Sequence, residues 1–314
     1  MIALLRLIAN GLAPLTLFGA VLAYLFPQLF LVFRDIFEWL FAATMFALGI
    51  VLEPEKLRAT LQRPGAIALG VLTQFTVMPA LGFLVATLGG LPPTLALGFI
   101  VVGCAPGAMA SNVIVYLAGG VLAFSIAMTT LATLLSPLLT PALVEWLGGV
   151  FLPIPFWPMV KTILLIVVLP LGLGMALHRK LGPRLALARE IAPALAAVAI
   201  IVICSYAVAA NEARIASVGP MVFGWVVAMN AAGYAAGWYM ARLYRFDRIH
   251  QLTLAIEIGM QNAGLGVALA LKHFAATPET ALPGALFAVW CILTAAGASA
   301  FLRRDRPPGT TTAI

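Results

Sequence analysis

The sequence predicts an all-α polytopic membrane protein of ten transmembrane helices, arranged as two inverted repeats of five. Three observations lead there. The 314 residues are 63% hydrophobic and only 9% charged, with a mean hydropathy of +1.09, whereas soluble domains average about 25% charged residues. A soluble fold could not hide that much apolar surface. The basic residues recur at alternate connections between apolar runs, and each half of the chain carries an interrupted run in the same ordinal position.

A bilayer core about 30 Å thick takes roughly 20 apolar residues per helix. Read against Gly, Pro and charge breaks, the runs are residues 13–32, 36–52, 66–88, 94–117, 121–147, 158–178, 191–210, 218–242, 249–272 and 282–302. The run behind Arg6 reads as a retained first helix, not a cleaved leader, because another run of spanning length follows at once. One membrane domain then uses the whole chain, 1–314.

Loop charge orients these spans. One set of ends carries Arg6; Lys56, Arg58 and Arg63; Arg179, Lys180, Arg184 and Arg189; Arg242, Arg245 and Arg248; and Arg303, Arg304 and Arg306. The opposite set holds only Arg34, Lys161, Arg214 and Lys272 of the 18 Lys and Arg. Such alternation places both termini in the cytoplasm and suits the cytoplasmic (inner) membrane of a bacterium. It also explains the net charge of +7 better than nucleic-acid binding does, since the basic residues sit in short clusters between apolar runs. Cys104, Cys204 and Cys291 are odd in number and lie inside apolar runs, so they read as small core residues.

The chain divides near Pro158 into repeat one, about 1–150, and repeat two, about 151–303, of opposite membrane orientation. The fourth run of each is broken, by Gly103-Cys104-Ala105-Pro106-Gly107 and by Gly259-Met260-Gln261-Asn262-Ala263-Gly264. One such break is an ordinary kink. A matched pair points to a transporter site, because unwound backbone at membrane depth persists where it lines a cavity.

Glu257 lies well inside the ninth run. An unpaired carboxylate there costs about 3 kcal/mol or more, and no Lys or Arg lies at comparable depth. A proton or a bound cation has to compensate it. Gln74, Ser111, Asn112, Ser125 and Thr129 are further oxygen-bearing side chains at membrane depth, with Ser125 and Thr129 on one helix face at i, i+4. Each hydroxyl alone reads as bonded to its own helix. Gathered with one carboxylate, these hard neutral oxygens suit a monovalent cation such as Na⁺; the alternative is a proton-coupled carrier of an organic anion in which Glu257 titrates. His-Glu-x-x-His, Gly-x-Ser-x-Gly and paired intramembrane aspartates are all missing from the sequence, so an enzyme is not expected.

The stretch Gly103 to Asn112, Ser136-Pro137-Leu138-Leu139-Thr140-Pro141, the run Glu257 to Gly264, and Leu282 to Phe287 with Trp290 resemble the bile acid:sodium symporter family in its bacterial branch. The resemblance implies a core domain (66–147 and 218–302), a panel domain (13–52 and 158–210) and two sodium sites where the broken helices cross. One sodium would lie among Ser111, Asn112, Ser125, Thr129 and Glu257. The other would lie among Gln74, Glu257, Gln261 and the backbone carbonyls of Ile258 and Met260. Asn262, Met109, Cys291 and Ile292 fall at substrate positions, where the family often has Thr in place of Met109 and His-Asn in place of Cys291-Ile292. The half-helix N-termini after Gly107 and Asn262 would offer unpaired N–H groups to an anion, which favours a small carboxylate. Sodium ions, that organic anion and the lipid bilayer are the expected partners, with no nucleic acid and no required oligomer.

Overall fold

The computed structural model describes residues 12–52 and 64–304. Arg6, Lys56, Arg58, Arg63 and Arg306 of the basic clusters lie outside the described residues. What is described is helical, with no strand longer than an isolated bridge.

The first predicted span is two helices, α1 (Leu12–Leu25) and α2 (Gln28–Leu31). The interruption falls at Phe26-Pro27, where proline has no N–H to give and disfavours helical backbone in the residue before it. α3 (Phe37–Val51) and α4 (Pro64–Leu88) follow. The fourth span is broken into α5 (Pro93–Gly103) and α6 (Ser111–Ala118), and α7 is the long helix Leu122–Gly148. α8 (Phe156–Ile163) runs through a π-helical turn, Leu164–Val168, into α9 (Leu169–Leu181). Pro170 closes that turn, and a missing N–H one residue into α9 accounts for the widened ladder. α10 (Ala186–Ala209) and α11 (Glu212–Leu243) are unbroken. The ninth span is again broken, into α12 (Arg248–Gly259) and α13 (Ala263–His273), before α14 (Leu282–Arg304).

Among the described residues, five stretches are long and apolar enough to cross a membrane: Pro64–Leu88, Leu122–Gly148, Phe156–Leu181, Leu187–Ala209 and Glu212–Leu243. α5 and α13, at 11 residues each, rise about 16 Å, half a bilayer core. Each therefore needs its partner half-helix. Trp39, Trp146 and Trp157 are exposed at the start of α3, the end of α7 and the start of α8, positions suited to a membrane–water interface.

α3 lies against α9 and α10, with α1 against α10; α4 lies against α5, α7 and α11, with α12 and α14 against α11. Small residues permit the closest approaches, as expected between apolar helices. At the α3–α9 crossing a Cβ on Gly49 would sit 2.3 Å from Leu171 O, and one on Gly174 2.3 Å from Phe46 O. The three cysteines are buried and unpaired. Asp247 caps α12 by accepting from Ile249 N and His250 N, and the His250 hydrogen bonds hold its carboxyl below the usual range.

Candidate functional site

The two breaks meet. Ala108 N donates to Met260 O at 3.0 Å and Asn262 N to Pro106 O at 2.8 Å, so Gly107 and Gln261 face each other as one antiparallel bridge. Unwound segments inside an apolar protein must satisfy their own polar groups. Here each break satisfies the other. α7 contributes as well: Thr140 Oγ1 donates to Cys104 O, the carbonyl just past α5, at 2.8 Å.

Glu257, 0% exposed, stands in the last full turn of α12 before the break. Its Oε1 lies 2.5 Å from both Ser111 Oγ and Ser125 Oγ, and its Oε2 lies 2.7 Å from Thr129 Oγ1. The same three hydroxyls have second oxygen neighbours: Ala108 O at 2.6 Å from Ser111, Asn112 Oδ1 at 2.7 Å from Ser125, and Ser125 O at 2.8 Å from Thr129. A hydroxyl owns one proton. Three protons therefore face six acceptor contacts. Asn112 adds none, because its Nδ2 is turned away to donate to Met109 O at 3.1 Å. Among the described residues no Lys, Arg or His pairs with Glu257. A proton on Glu257 would serve one contact and leave two; a hard cation is attracted to all of the oxygens at once.

Of the second expected ligand set, Gln74, Gln261 and the Ile258 carbonyl come together. Gln74 Nε2 donates to Gln261 Oε1 at 2.9 Å and to Ala105 O at 3.2 Å, while Gln261 Nε2 donates to Ile258 O at 3.1 Å. Gln74 Oε1 is buried with no hydrogen-bond partner. Such an orphan costs about 1–3 kcal/mol, and a cation is one way to remove the cost. Met260 O already accepts from Ala108 N, so this carbonyl would have to offer its second lone pair to an ion. The donor chemistry of both clusters fits Na⁺: one carboxylate, hydroxyls, amides and carbonyls, with no soft ligand.

Beside the crossing lies a cavity of about 300 Å³. Met109, Asn262, Cys291 and Ile292, the expected substrate positions, all line it. The expectation about free N–H groups needs correction. Ala108 N and Asn262 N are used in the crossing, and Leu265 N is capped at 3.1 Å by Asn262 Oδ1. The first turn of α6 is closed by Ser111 N, Asn112 N and Val113 N. Among the described residues that line the cavity, the amides of Met109, Ala110 and Gly264 keep no protein acceptor. Gln261 N is likewise without an acceptor, whereas the crossing takes Ala108 N and Asn262 N and local turns take the others named here.

The sequence reading missed the opposite wall, which α3 supplies with Phe41, Thr44, Met45 and Leu48 and α10 with Pro193, Ala196, Ala197 and Ile200. Thr44 is buried and its hydroxyl donates to Leu40 O at 3.0 Å. Nothing in the sequence marks these residues, which are ordinary membrane-helix types far from the breaks in the chain.

Residues 39–218 match the family described as the Sodium Bile acid symporter family. The chain is 36% identical over 271 residues to the sodium-dependent transporter YocS of Bacillus subtilis, covering 86% of this chain and 84% of that protein. It is 36% identical over 265 residues to the probable sodium/metabolite cotransporter BASS1, chloroplastic, of Oryza sativa subsp. japonica, covering 84% and 65%. Against the ileal sodium/bile acid cotransporter of Homo sapiens it is 30% identical over 256 residues, covering 76% and 69%. A buried carboxylate in a ring of neutral oxygens, two crossed breaks and these likenesses place the chain in the sodium bile acid symporter family, whose members are membrane transporters and not enzymes.

Proposed function

We propose that the protein is a sodium-coupled symporter that carries a small organic carboxylate by alternating access, with two sodium ions bound at the crossing. The observation that carries the reading is the shortage of protons around Glu257: three hydroxyls for six oxygen contacts in a site with no cationic side chain. The first ion lies among Ser111, Asn112, Ser125, Thr129 and Glu257. The second takes Gln74, Glu257, Gln261 and the Ile258 and Met260 carbonyls. The names of the relatives, a sodium-dependent transporter and sodium/metabolite cotransporters, point to the same ion.

The ten spans form two inverted repeats with both termini on the cytoplasmic side of a bacterial inner membrane. α4 to α7 and α11 to α14 act as the core, and α1 to α3 and α8 to α10 as the panel. The cavity lies on the seam between these groups, where relative movement would expose it to alternate sides. Its volume sits at the low end of ligand cavities, roughly 300–1,000 Å³, which suits a small metabolite better than a steroid. The amides of Met109, Ala110 and Gly264 supply an anion site without a charged side chain.

A thermal-shift screen of carboxylate metabolites, run in sodium chloride and in choline chloride, tests the proposal. Sodium should raise the Tm by several degrees, and carboxylates should add to that rise only when sodium is present. The proton-coupled alternative predicts instead that choline at pH 5 reproduces the sodium effect. Sodium and choline giving equal curves at every pH would end the sodium reading.

Met109, Cys291 and Ile292 make the cavity poorer in side-chain partners than Thr, His and Asn would. A buried polar group left unpartnered costs about 1–3 kcal/mol. Installing Met109→Thr, Cys291→His and Ile292→Asn together should therefore improve hydroxylated carboxylates about tenfold relative to unsubstituted ones, with the sodium midpoint unchanged. An unchanged ranking of ligands, with only the Tm altered, would show that these positions merely pack.

A further inference from the structure

α11 carries Asn230, Gly233 and Gly237 on one face. A Cβ on Gly237 would lie 2.8 Å from Leu254 O and 2.9 Å from Ala255 Cα; one on Gly233 would lie 3.3 Å from Gly259 Cα and 3.4 Å from Ile258 O. The backbones of α11 and α12 therefore touch along the last two turns of α12. Tyr234 of the same helix closes over the end of α12, since a Cβ on Gly259 would lie 2.5 Å from its ring. Packing alone thus seats α12 firmly, as glycine-lined crossings do in membranes.

Asn230 adds something packing does not require. It is 1% exposed, donates from Nδ2 to Gly259 O at 2.8 Å, and accepts at Oδ1 from Thr294 Oγ1 at 3.0 Å. The Gly259 carbonyl decides which way the amide faces: a C=O can only accept, so Nδ2 meets it and Oδ1 is left for the Thr294 hydroxyl, which also lies 3.1 Å from Trp290 O and Cys291 O. Gly259 O is one of the orphan carbonyls at the end of α12. Its chain neighbours on either side are Ile258 O and Met260 O, the two carbonyls assigned above to the second ion. Met260 is already extended, at φ −105 and ψ 105, so carbonyl directions here are no longer set by a helix ladder.

We infer that Asn230 is a positioning residue of the second cation site. Gripping Gly259 O fixes the peptide planes on both sides of it, which aims the Ile258 and Met260 carbonyls and keeps the intervening oxygen from competing for the ion. Thr294 acts one step further out, by holding the Oδ1 end of Asn230 in place. The inference rests on reading the Gln74–Glu257–Gln261 cluster as a sodium site.

Sodium titrations of the full-length protein, followed by thermal shift with choline chloride holding ionic strength constant, separate this role from a structural one. Wild type should respond with a Hill slope above 1. Asn230→Ala and Asn230→Asp, which keeps the shape but removes the donor, should raise the sodium midpoint about tenfold and bring the slope to about 1, as one site is lost and the other kept. Thr294→Val should move the midpoint in the same direction about threefold, and it carries the test if the Asn230 variants do not fold. Variants with a lower Tm in choline but a wild-type midpoint and slope would overturn the inference and leave the sodium reading standing. A wild-type protein without any sodium response would overturn both.

Discussion

Replacing Glu257 with Ala should abolish both the sodium-induced rise in Tm and sodium-driven uptake, while the protein still folds in choline. The carboxylate is the charge around which the first oxygen set gathers, and the proposal shares it with the second ion. At about 4 Å and an effective dielectric near 20, each unit-charge attraction is worth about 4 kcal/mol. At 1.4 kcal/mol per decade, losing it weakens an ion about 10³-fold. Glu257→Gln keeps one oxygen and the volume but loses the charge, so it should be nearly as impaired.

Folding should survive because of the same proton count. Without Glu257 the hydroxyls of Ser111, Ser125 and Thr129 still have Ala108 O, Asn112 Oδ1 and Ser125 O, one acceptor for each proton. Removing the side chain also removes a buried carboxylate that needs a counterion. The expected pattern is an ordinary Tm in choline and no sodium response. A wild-type sodium response in Glu257→Ala would sink the assignment of the site, and a Tm in choline far below wild type would show that the carboxylate is structural.

What the sequence made legible is what bilayers make rare. Glu257, Gln74 and the hydroxyls announce themselves because polar groups at membrane depth are costly, and the structure sets the hydroxyls against Glu257 and Gln74 against Gln261. The breaks were visible for a similar reason, as Gly and Pro clusters in runs that otherwise read straight through. Backbone pairing between Gly107 and Gln261 has no side-chain signature, so the loss of free amides at Ala108 and Asn262 could not be read in advance. Asn230 and Thr294 were passed over because a single polar residue in a long apolar helix looks like local bonding; only contacts across 29 and 64 residues give them a role. At Pro27 the apolar run masked a helix end that local chemistry does predict.

A carboxylate found in the screen should bind at least about tenfold more tightly in sodium than in choline. The reason lies in how few residues separate ion from substrate. Residues 108–112 hold an amide of the cavity at one end and two proposed sodium ligands at the other, and residues 257–264 do the same from the second break. The hydrogen bonds Ala108 N to Met260 O and Asn262 N to Pro106 O tie these short segments together. An ion that draws Ser111, Asn112 and Glu257 into one shell therefore also sets where the Met109, Ala110 and Gly264 amides point. Tenfold corresponds to about 1.4 kcal/mol, inside the usual range for coupling between sites. Linkage makes the effect reciprocal, so the carboxylate must raise sodium affinity by the same factor. Calorimetric titrations in both directions check this: carboxylate into protein in sodium and in choline, then sodium into protein with and without carboxylate. Equal carboxylate affinity in the two salts would rule out coupling through the crossing, whatever uptake assays gave. In Glu257→Ala the factor should fall to 1 while the weak choline-state affinity remains, because the amides that meet the anion are still present and only the ion that orders them is gone.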